Sequence, residues 1–155
     1  MTVERFKVVP AAYLFLRRGS DVLLQLREGT GFMDGHWAAA AAGHVEADES
    51  VFDAIIREAR EELGIEVDSA DLTPVTALQR TQRNHQAIDE RVDFFFECRT
   101  WNGEPALQEP EKAADLGWFS LSALPHPVVP HEKYVLDLMA GGNPPAIVSF
   151  GFSPG

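Results

Sequence analysis

The sequence predicts an α/β or α+β sandwich built around a mixed β-sheet. Short segments rich in β-forming residues recur along the chain, two helical segments lie among them, and one strand segment is almost continuously apolar. The 155 residues are enough to bury a hydrophobic core but too few for a TIM barrel. We therefore expect one domain that spans residues 1–155.

The first strands are predicted near the start of the chain. Residues 8–16 are apolar and rich in β-forming types, and residues 21–26 follow Arg18-Gly19-Ser20, which is typical of a turn. Residues 37–43 are mostly alanine, and periodicity alone does not separate helix from strand there. This part of the chain therefore predicts two strands and a compact segment of undefined type.

Residues 50–63 form the clearest helix. Ser50 with Asp53 three positions later resembles a capping box, and Gly64 stands where a helix should stop. Further strands are predicted at residues 75–78, 92–98, 116–121 and 146–152, with a turn at 101–104 and a helix at 131–140. The nearly continuous apolar run at 92–98 is typical of a central strand.

Composition and charge narrow the classes of partner. The net charge is −11 and no basic stripe is visible, which argues against binding to a nucleic acid polymer. No segment approaches the ~20 apolar residues that cross a bilayer, and the N-terminus lacks the pattern of a signal peptide. Cys98 is alone, so disulfides and multi-cysteine zinc sites are excluded. We expect a cytoplasmic protein without a membrane partner.

Acidic residues cluster on one side of the predicted helix. Glu58, Glu61 and Glu62 fall within roughly 100° of arc, beside the apolar face. Such a helix is either a surface helix with salt bridges, as Arg57 and Glu61 would form, or an array of carboxylates for a hard divalent cation. The helix alone leaves both interpretations open.

The spacing before the helix decides between them. Gly43 is followed after five residues by Glu49 and after seven more by the segment from Arg57 to Ile65. This matches the pattern G-x5-E-x7-R-E-U-x-E-E-x-G-U, with U apolar, at every specified position. The chain therefore resembles the Nudix (MutT-like) hydrolases, with the Nudix box at residues 43–65.

The resemblance implies a fold, an activity and a metal site. The implied fold is an α/β/α sandwich with a central mixed sheet, and the implied activity is hydrolysis of a nucleoside diphosphate linked to another group. Mg²⁺ is the implied cofactor, for which Mn²⁺ can substitute, and Glu58 or Glu61 is the implied general base. The implied metal ligands are Gly43, through its carbonyl, with Glu58, Glu61 and Glu62, while Arg57 and Glu49 form an orienting salt bridge.

A second segment resembles a subgroup of nucleoside triphosphate diphosphatases. It reads Glu109-Pro110-Glu111-Lys112 and precedes the aromatic pair Trp118-Phe119. In that subgroup an acidic residue of this loop often approaches the metals, which implies Glu109 as a further metal ligand, with Glu111 behind it. A solvated acidic loop is the alternative.

Three departures from the family pattern lie around the box. The family commonly has Pro-Gly-Gly where this chain has Ala40-Ala41-Ala42-Gly43, with one residue more after Trp37, and Asp48 replaces a frequent glycine. Phe32, Trp37 and His44 are candidates to stack on a base, although aromatic residues near a sheet are more often part of the core.

The leading functional hypothesis is cleavage of a nucleoside triphosphate, normal or oxidised, to monophosphate and pyrophosphate. ADP-ribose, nucleotide sugars, dinucleoside polyphosphates and RNA ends remain alternatives, as does a non-catalytic nucleotide sensor. A sensor usually loses box carboxylates, and this chain keeps them. An isoprenoid diphosphate isomerase would need Cys98 in its site. The expected partner is a small nucleotide, and family members are often homodimers.

Overall fold

A computed structural model describes residues 4–152 and contains eight strands and two α-helices in that range. The strands are β1 Val9–Arg18, β2 Asp21–Arg27, β3 Trp37–Ala39, β4 Ala41–His44, β5 Leu72–Arg80, β6 Arg91–Cys98, β7 Ala113–Ser120 and β8 Ile147–Phe150; the helices are α1 Val51–Leu63 and α2 Pro130–Ala140. Neither described helix has the length and apolar character that a membrane crossing demands.

The strands form one mixed sheet, as predicted. The order along it is β3-β2-β1-β6-β5-β8, while β4 pairs with β1 and β7 pairs with β2. The pairs β1–β6 and β5–β8 are parallel, and the other pairs are antiparallel. The apolar run predicted to be central is β6, which lies between β1 and β5.

The two helices cover opposite faces of the sheet. Successive side chains of a strand point to opposite faces, so Leu14 and Leu16 of β1 pack in the core that contains α1 residues. Tyr13 and Phe15 pack in the second core, which contains α2 residues. Burial on both faces explains why β1 is apolar without alternation, and it establishes the predicted α/β/α layering.

Helix α1 has the predicted ends. The Ser50 hydroxyl accepts a hydrogen bond from the Asp53 amide at 3.0 Å, and the Asp53 carboxylate accepts one from the Ser50 amide at 3.3 Å. Gly64 ends the helix in the left-handed conformation, with φ of 69°. This capping box and C-cap satisfy backbone groups that an uncapped helix would leave unpaired, so α1 is a defined support for its carboxylates.

The alanine segment crosses from one part of the sheet to another. β3 pairs with β2, whereas β4 pairs with β1. Ala40 lies between β3 and β4, and both Ala40 and Ala41 have no exposed surface. Larger side chains would have no room at this crossing, which accounts for the run of alanines and resolves the segment as two short strands.

Candidate active site

The guanidinium of Arg57 joins the loop before α1 to the helix itself. Its Nε and Nη2 donate to the two carboxylate oxygens of Glu49 at 2.8 and 3.0 Å, and Nη2 also donates to the His44 carbonyl at 3.1 Å. Its Nη1 donates to Glu58 at 2.7 Å and to Glu61 at 3.2 Å. These contacts raise the pKa of Arg57 further above its usual range and lower that of Glu49. The residue predicted to orient the loop therefore contacts two of the predicted metal ligands.

Glu62 and Glu58 lie where their charge is poorly solvated. The Ala42 amide donates to the Glu62 carboxylate at 2.7 Å. Burial, followed by the nearby charges of Glu58 and Glu109, raises the pKa of Glu62 to about 8. Burial also raises the pKa of Glu58, although its hydrogen bond from Arg57 opposes the shift. Glu58 is paired with Arg57, whereas within residues 4–152 no cationic side chain forms an ion pair with Glu62.

Gly43 lies directly against the Glu58 carboxylate. A Cβ atom on residue 43 would overlap the carboxyl group of Glu58. Glycine is therefore the residue that lets this carboxylate approach the β4 backbone. Gly43 lies on β4 and Glu58 on α1, so their contact fixes the distance between the strand and the helix.

The loop that carries Glu109 folds over the end of α1. The amides of Ala106 and Gln108 donate to the carbonyls of Leu63 and Glu62 at 3.1 and 3.0 Å. The charge of Glu109 is consequently close enough to raise the pKa of Glu62.

Glu61 and Glu111 complete the set of predicted acidic residues. The Glu61 side chain is 53% exposed and reaches Arg57. Glu111 is exposed, and its backbone carbonyl lies against Gly29.

The donor set fits a hard divalent cation in its chemistry. Within residues 4–152, no three His, Cys, Asp or Glu side chains already converge in the geometry of a metal site. The carboxylates of Glu58 and Glu62 are nevertheless neighbours, and they lie against the backbone of β4 at Gly43 and Ala42. Carboxylate and carbonyl oxygens are the donors that Mg²⁺ and similar ions take, together with water and substrate phosphate.

A cavity of about 390 Å³ adjoins this cluster, and Gly43 and Glu62 both form part of its wall. Arg27, Arg80 and Arg91 also line it. Three acidic residues, Glu62, Asp89 and Glu132, line the same cavity, so its wall carries charged groups of both signs. Arginine is well suited to binding phosphate oxygens, so the arginines are the groups of this wall that favour a phosphorylated ligand.

The residues predicted to contact a base are placed differently from one another. Phe32 and His44 line the cavity, and the Phe32 ring is 5.5 Å from the Arg27 guanidinium. Trp37 does not line it, because its ring packs edge-on against Phe119 with centroids 4.8 Å apart. The structure thus brings two of these three aromatic or imidazole side chains to the cavity.

A buried polar network that sequence analysis did not predict lies beneath the cavity. Arg80 pairs with Asp93 at 2.5 Å, and the Tyr13 hydroxyl lies 3.4 Å from Arg80 and 3.3 Å from His131. Burial, with a smaller effect of the arginines, lowers the pKa of His131 to about 2, so this imidazole is neutral. The network holds the floor of the cavity in a fixed arrangement.

Glu132 was also not predicted as a functional residue from the sequence, although the residue pattern of α2 could have indicated it. Its side chain is 4% exposed, and one oxygen, Oε1, accepts a hydrogen bond from the Ala39 amide at 2.7 Å. Burial raises the pKa of Glu132 to about 7. Leu136 and Met139 lie four and seven positions later and are buried, so Glu132 is a charged residue on the apolar face of a helix. That pattern could have marked it as functional.

A carboxylate-bearing helix, a glycine on the adjoining strand and a cavity lined partly by arginines together fit a hydrolase of the Nudix type. A model of the NUDIX domain matches residues 7–139 of this chain. The chain therefore belongs to the Nudix hydrolase family, whose members hydrolyse nucleoside diphosphate derivatives and generally use divalent metal ions.

Individual relatives carry different names. The chain is 33% identical over 119 residues to the NAD-capped RNA hydrolase NudC of Pseudomonas aeruginosa. The aligned region covers 77% of this chain but only 38% of that relative's length. The chain is 27% identical over 113 residues to the nucleoside triphosphatase NudI of Escherichia coli, covering 70% of this chain and 78% of that protein. The crystal structure of a MutT Nudix hydrolase from Burkholderia pseudomallei superposes with a TM-score of 0.76 and 26% identity, over 84% of this chain and 97% of the other.

Proposed function

We propose that this protein hydrolyses a nucleoside triphosphate to the monophosphate and pyrophosphate, with Mg²⁺ as the metal and Mn²⁺ as a substitute. The observation that carries the proposal is the shared wall between the carboxylate cluster and the arginine-lined cavity, to which Gly43 and Glu62 belong. A triphosphate bound there would have its nucleoside in the cavity and its phosphates beside the cluster. The similarity to a relative named as a nucleoside triphosphatase supports this choice.

The proposed metal-binding residues are Glu58, Glu61, Glu62 and Glu109 with the carbonyl of Gly43. When bound, a divalent ion at such a site neutralises charge on the phosphate oxygens and acidifies a coordinated water.

The chain's own groups position and deprotonate the nucleophile. Arg57, held by Glu49, fixes the orientation of Glu58. Glu58 or Glu61 accepts the proton of the attacking water at a carboxylate oxygen, while the water oxygen forms a bond to phosphorus in line with the oxygen that leaves.

Phe32 and His44 are the proposed contacts to the nucleoside, because both line the cavity. We do not extend this role to Trp37, whose ring packs against Phe119. Small nucleotides, normal or oxidised, are the proposed substrates, in a cytoplasmic protein that acts without a membrane or nucleic acid polymer and can form a homodimer.

One comparison favours a second candidate. The relative with 33% identity is named as a hydrolase of NAD-capped RNA. A dinucleotide with an internal diphosphate linkage is therefore the alternative substrate. ADP-ribose is a smaller molecule with the same kind of linkage. The net charge of −11 weighs against the RNA portion of such a substrate. A non-catalytic sensor is disfavoured because every box carboxylate is present.

A substrate panel tests the proposal. Incubation with Mg²⁺ and the eight common ribo- and deoxyribonucleoside triphosphates, ADP-ribose, NAD and a nucleotide sugar is followed by chromatography of the products. Monophosphate and pyrophosphate from a triphosphate are expected. Glu61→Gln and Glu58→Gln should each lower kcat by roughly a hundredfold or more without unfolding the protein, whereas Glu66→Gln, an exposed carboxylate paired with Arg60, should not. Preference for a dinucleotide would instead support the second candidate.

A further inference from the structure

Residues 109–112 form a tight turn beside the carboxylate cluster. The Lys112 amide donates to the Glu109 carbonyl at 2.9 Å, which closes the turn, and the Lys112 ammonium lies 2.8 Å from Oε2 of the Glu109 carboxylate. The Lys112 side chain is 61% exposed. Within residues 4–152, no second carboxylate lies within 4.0 Å of this ammonium. The ammonium is therefore held by one carboxylate at the edge of the cluster.

The backbone of this turn is held independently of the Lys112 side chain. On one side, the Gln108 amide donates to the carbonyl of Glu62, near the end of α1, at 3.0 Å. On the other side, the Glu28 amide donates to the Lys112 carbonyl at 3.1 Å. Because these hydrogen bonds join backbone groups, the turn should keep its place when the ammonium moves away.

The two cations at the cluster differ in how firmly they are bound. Arg57 makes several ion pairs, among them those with Glu49 and Glu58. Lys112 makes a single exposed ion pair, and pairs of that kind are weak. Burial raises the pKa of Glu62 to about 8, and the charge of Lys112 opposes that shift. A divalent ion among the carboxylates would repel the ammonium and compete for the same oxygen, so Lys112 is the cation that can leave.

We propose that Lys112 is the counter-ion of Glu109 in the metal-free protein and releases this carboxylate to the divalent ion when the metal binds. The proposal rests on the proposed function in one respect, that Glu109 is a metal ligand. It deepens that function by making Lys112 a determinant of metal affinity, because the ion pair must break before Glu109 can coordinate. The exchange of one cation for another keeps the Glu109 charge compensated in both states.

Calorimetric titration of the metal-free protein with Mn²⁺ tests the proposal without any catalytic step. Lys112→Met removes the ammonium and keeps a side chain of similar length. Because the backbone holds the turn, this variant should bind Mn²⁺ roughly two- to fivefold more tightly than the wild type, the range that an exposed ion pair allows. The gain should shrink as the salt concentration rises, because exposed charges are screened.

Lys133→Met is the matched control. Lys133 makes an exposed ion pair with Asp137 on α2 at 2.7 Å, so its removal deletes a pair of the same kind away from the cluster. This variant should bind Mn²⁺ with the wild-type affinity.

Two further variants separate charge compensation from positioning. Gly29→Ala would place a Cβ atom against the Glu111 carbonyl, at a residue whose φ of +71° disfavours alanine. It should displace the turn and weaken Mn²⁺ binding, which is the opposite of the effect of Lys112→Met. In a Glu109→Gln background, Lys112→Met should leave Mn²⁺ affinity unchanged, since the carboxylate that the ammonium neutralises is gone.

The outcomes separate this proposal from the proposed function. If Glu109→Gln weakens Mn²⁺ binding but Lys112→Met does not strengthen it, Glu109 is a ligand and the exchange of cations is overturned. If Glu109→Gln retains the wild-type affinity, the assignment of Glu109 as a ligand fails and this proposal fails with it. A gain in Lys112→Met that persists in the Glu109→Gln background would also overturn the exchange. A gain that depends on Glu109 would support it even if no triphosphate is hydrolysed.

Discussion

Arg57 and Glu49 form a two-pronged ion pair across eight positions of sequence, with Nε–Oε2 and Nη2–Oε1 distances of 2.8 and 3.0 Å. The pair connects the loop that leaves β4 to α1, and the remaining guanidinium nitrogen reaches Glu58. Only a planar guanidinium can make both contacts at once, because lysine offers a single charged nitrogen. The pair therefore acts on the candidate metal ligands through position and not through charge alone.

Arg57→Lys should weaken metal binding and activity while the protein remains folded. We expect a loss of about ten- to a hundredfold in metal affinity or kcat, the range typical of partners that orient metal ligands. Titration with Mn²⁺ followed by calorimetry measures the affinity, and the melting temperature monitors the fold. Arg60→Lys is the control, since Arg60 makes an exposed pair with Glu66 and such pairs contribute little. Equal effects of the two substitutions would contradict the positioning role.

Gly43→Ala should reduce activity far more than stability. The added Cβ would overlap the Glu58 carboxyl group, which is the far end of a flexible side chain and can move aside without unfolding the helix. We expect kcat to fall by roughly a hundredfold or more.

A double-mutant cycle with Glu58→Gln identifies the cause. If the alanine acts by displacing Glu58, the double variant should be no less active than Glu58→Gln alone. Additive losses would show that Gly43 matters for a separate reason.

The carboxylate helix could be predicted from sequence because its geometry is local. The spacing from Gly43 through Glu49 to Arg57 identified the family, and the cap residues Ser50 and Gly64 marked the ends that the structure has. Residues close in sequence on one helix have their relative directions fixed by 3.6-residue periodicity.

The cavity could not be predicted in the same way, because long-range pairing assembles it. Gln25 on β2 and Glu132 on α2 are more than one hundred positions apart, and they meet only through the Ala39 backbone. Long-range pairing also determines the surroundings of Trp37. Its position just before the box in the sequence suggested stacking on a substrate base. In the structure β2 pairs with both β3 and β7, and this pairing brings the Trp37 ring against Phe119.

Asp93→Ala should destabilise the protein strongly. Asp93 has no exposed side-chain surface and pairs with Arg80, which is itself 7% exposed. Removing one partner of a buried pair leaves an uncompensated charge and costs roughly 3–5 kcal/mol of the free energy of unfolding. Urea denaturation measures the change. Glu66→Ala, which breaks the exposed pair with Arg60, should cost about 1 kcal/mol or less, and a similar small cost for Asp93→Ala would contradict the expected dependence on burial.

Glu132 should make stability depend on pH in a direction opposite to that of a salt-bridged carboxylate. Its pKa rises on folding from an ordinary value of 4.5 to about 7, chiefly through burial. Between those values the folded state holds a proton that the unfolded state has lost, so the free energy of unfolding falls as pH rises through this window. Arg27, Arg80, Asp93 and His131 face the same region, and they are present in both the wild type and a Glu132 variant.

The difference between wild type and Glu132→Gln isolates this contribution. Both proteins carry a neutral side chain at pH 4.5, whereas at pH 8 the wild type alone buries a charge. The variant should therefore gain stability relative to wild type as pH rises, by roughly 1.4 kcal/mol for each pH unit inside the window, and the difference should level off above pH 7. Urea unfolding of the metal-free proteins at intervals from pH 4.5 to pH 8 measures it, with Asp137→Asn as the exposed control. A constant difference across this range would show that folding leaves the pKa of Glu132 unshifted, because the arginines of the cavity would then stabilise its carboxylate as much as burial penalises it.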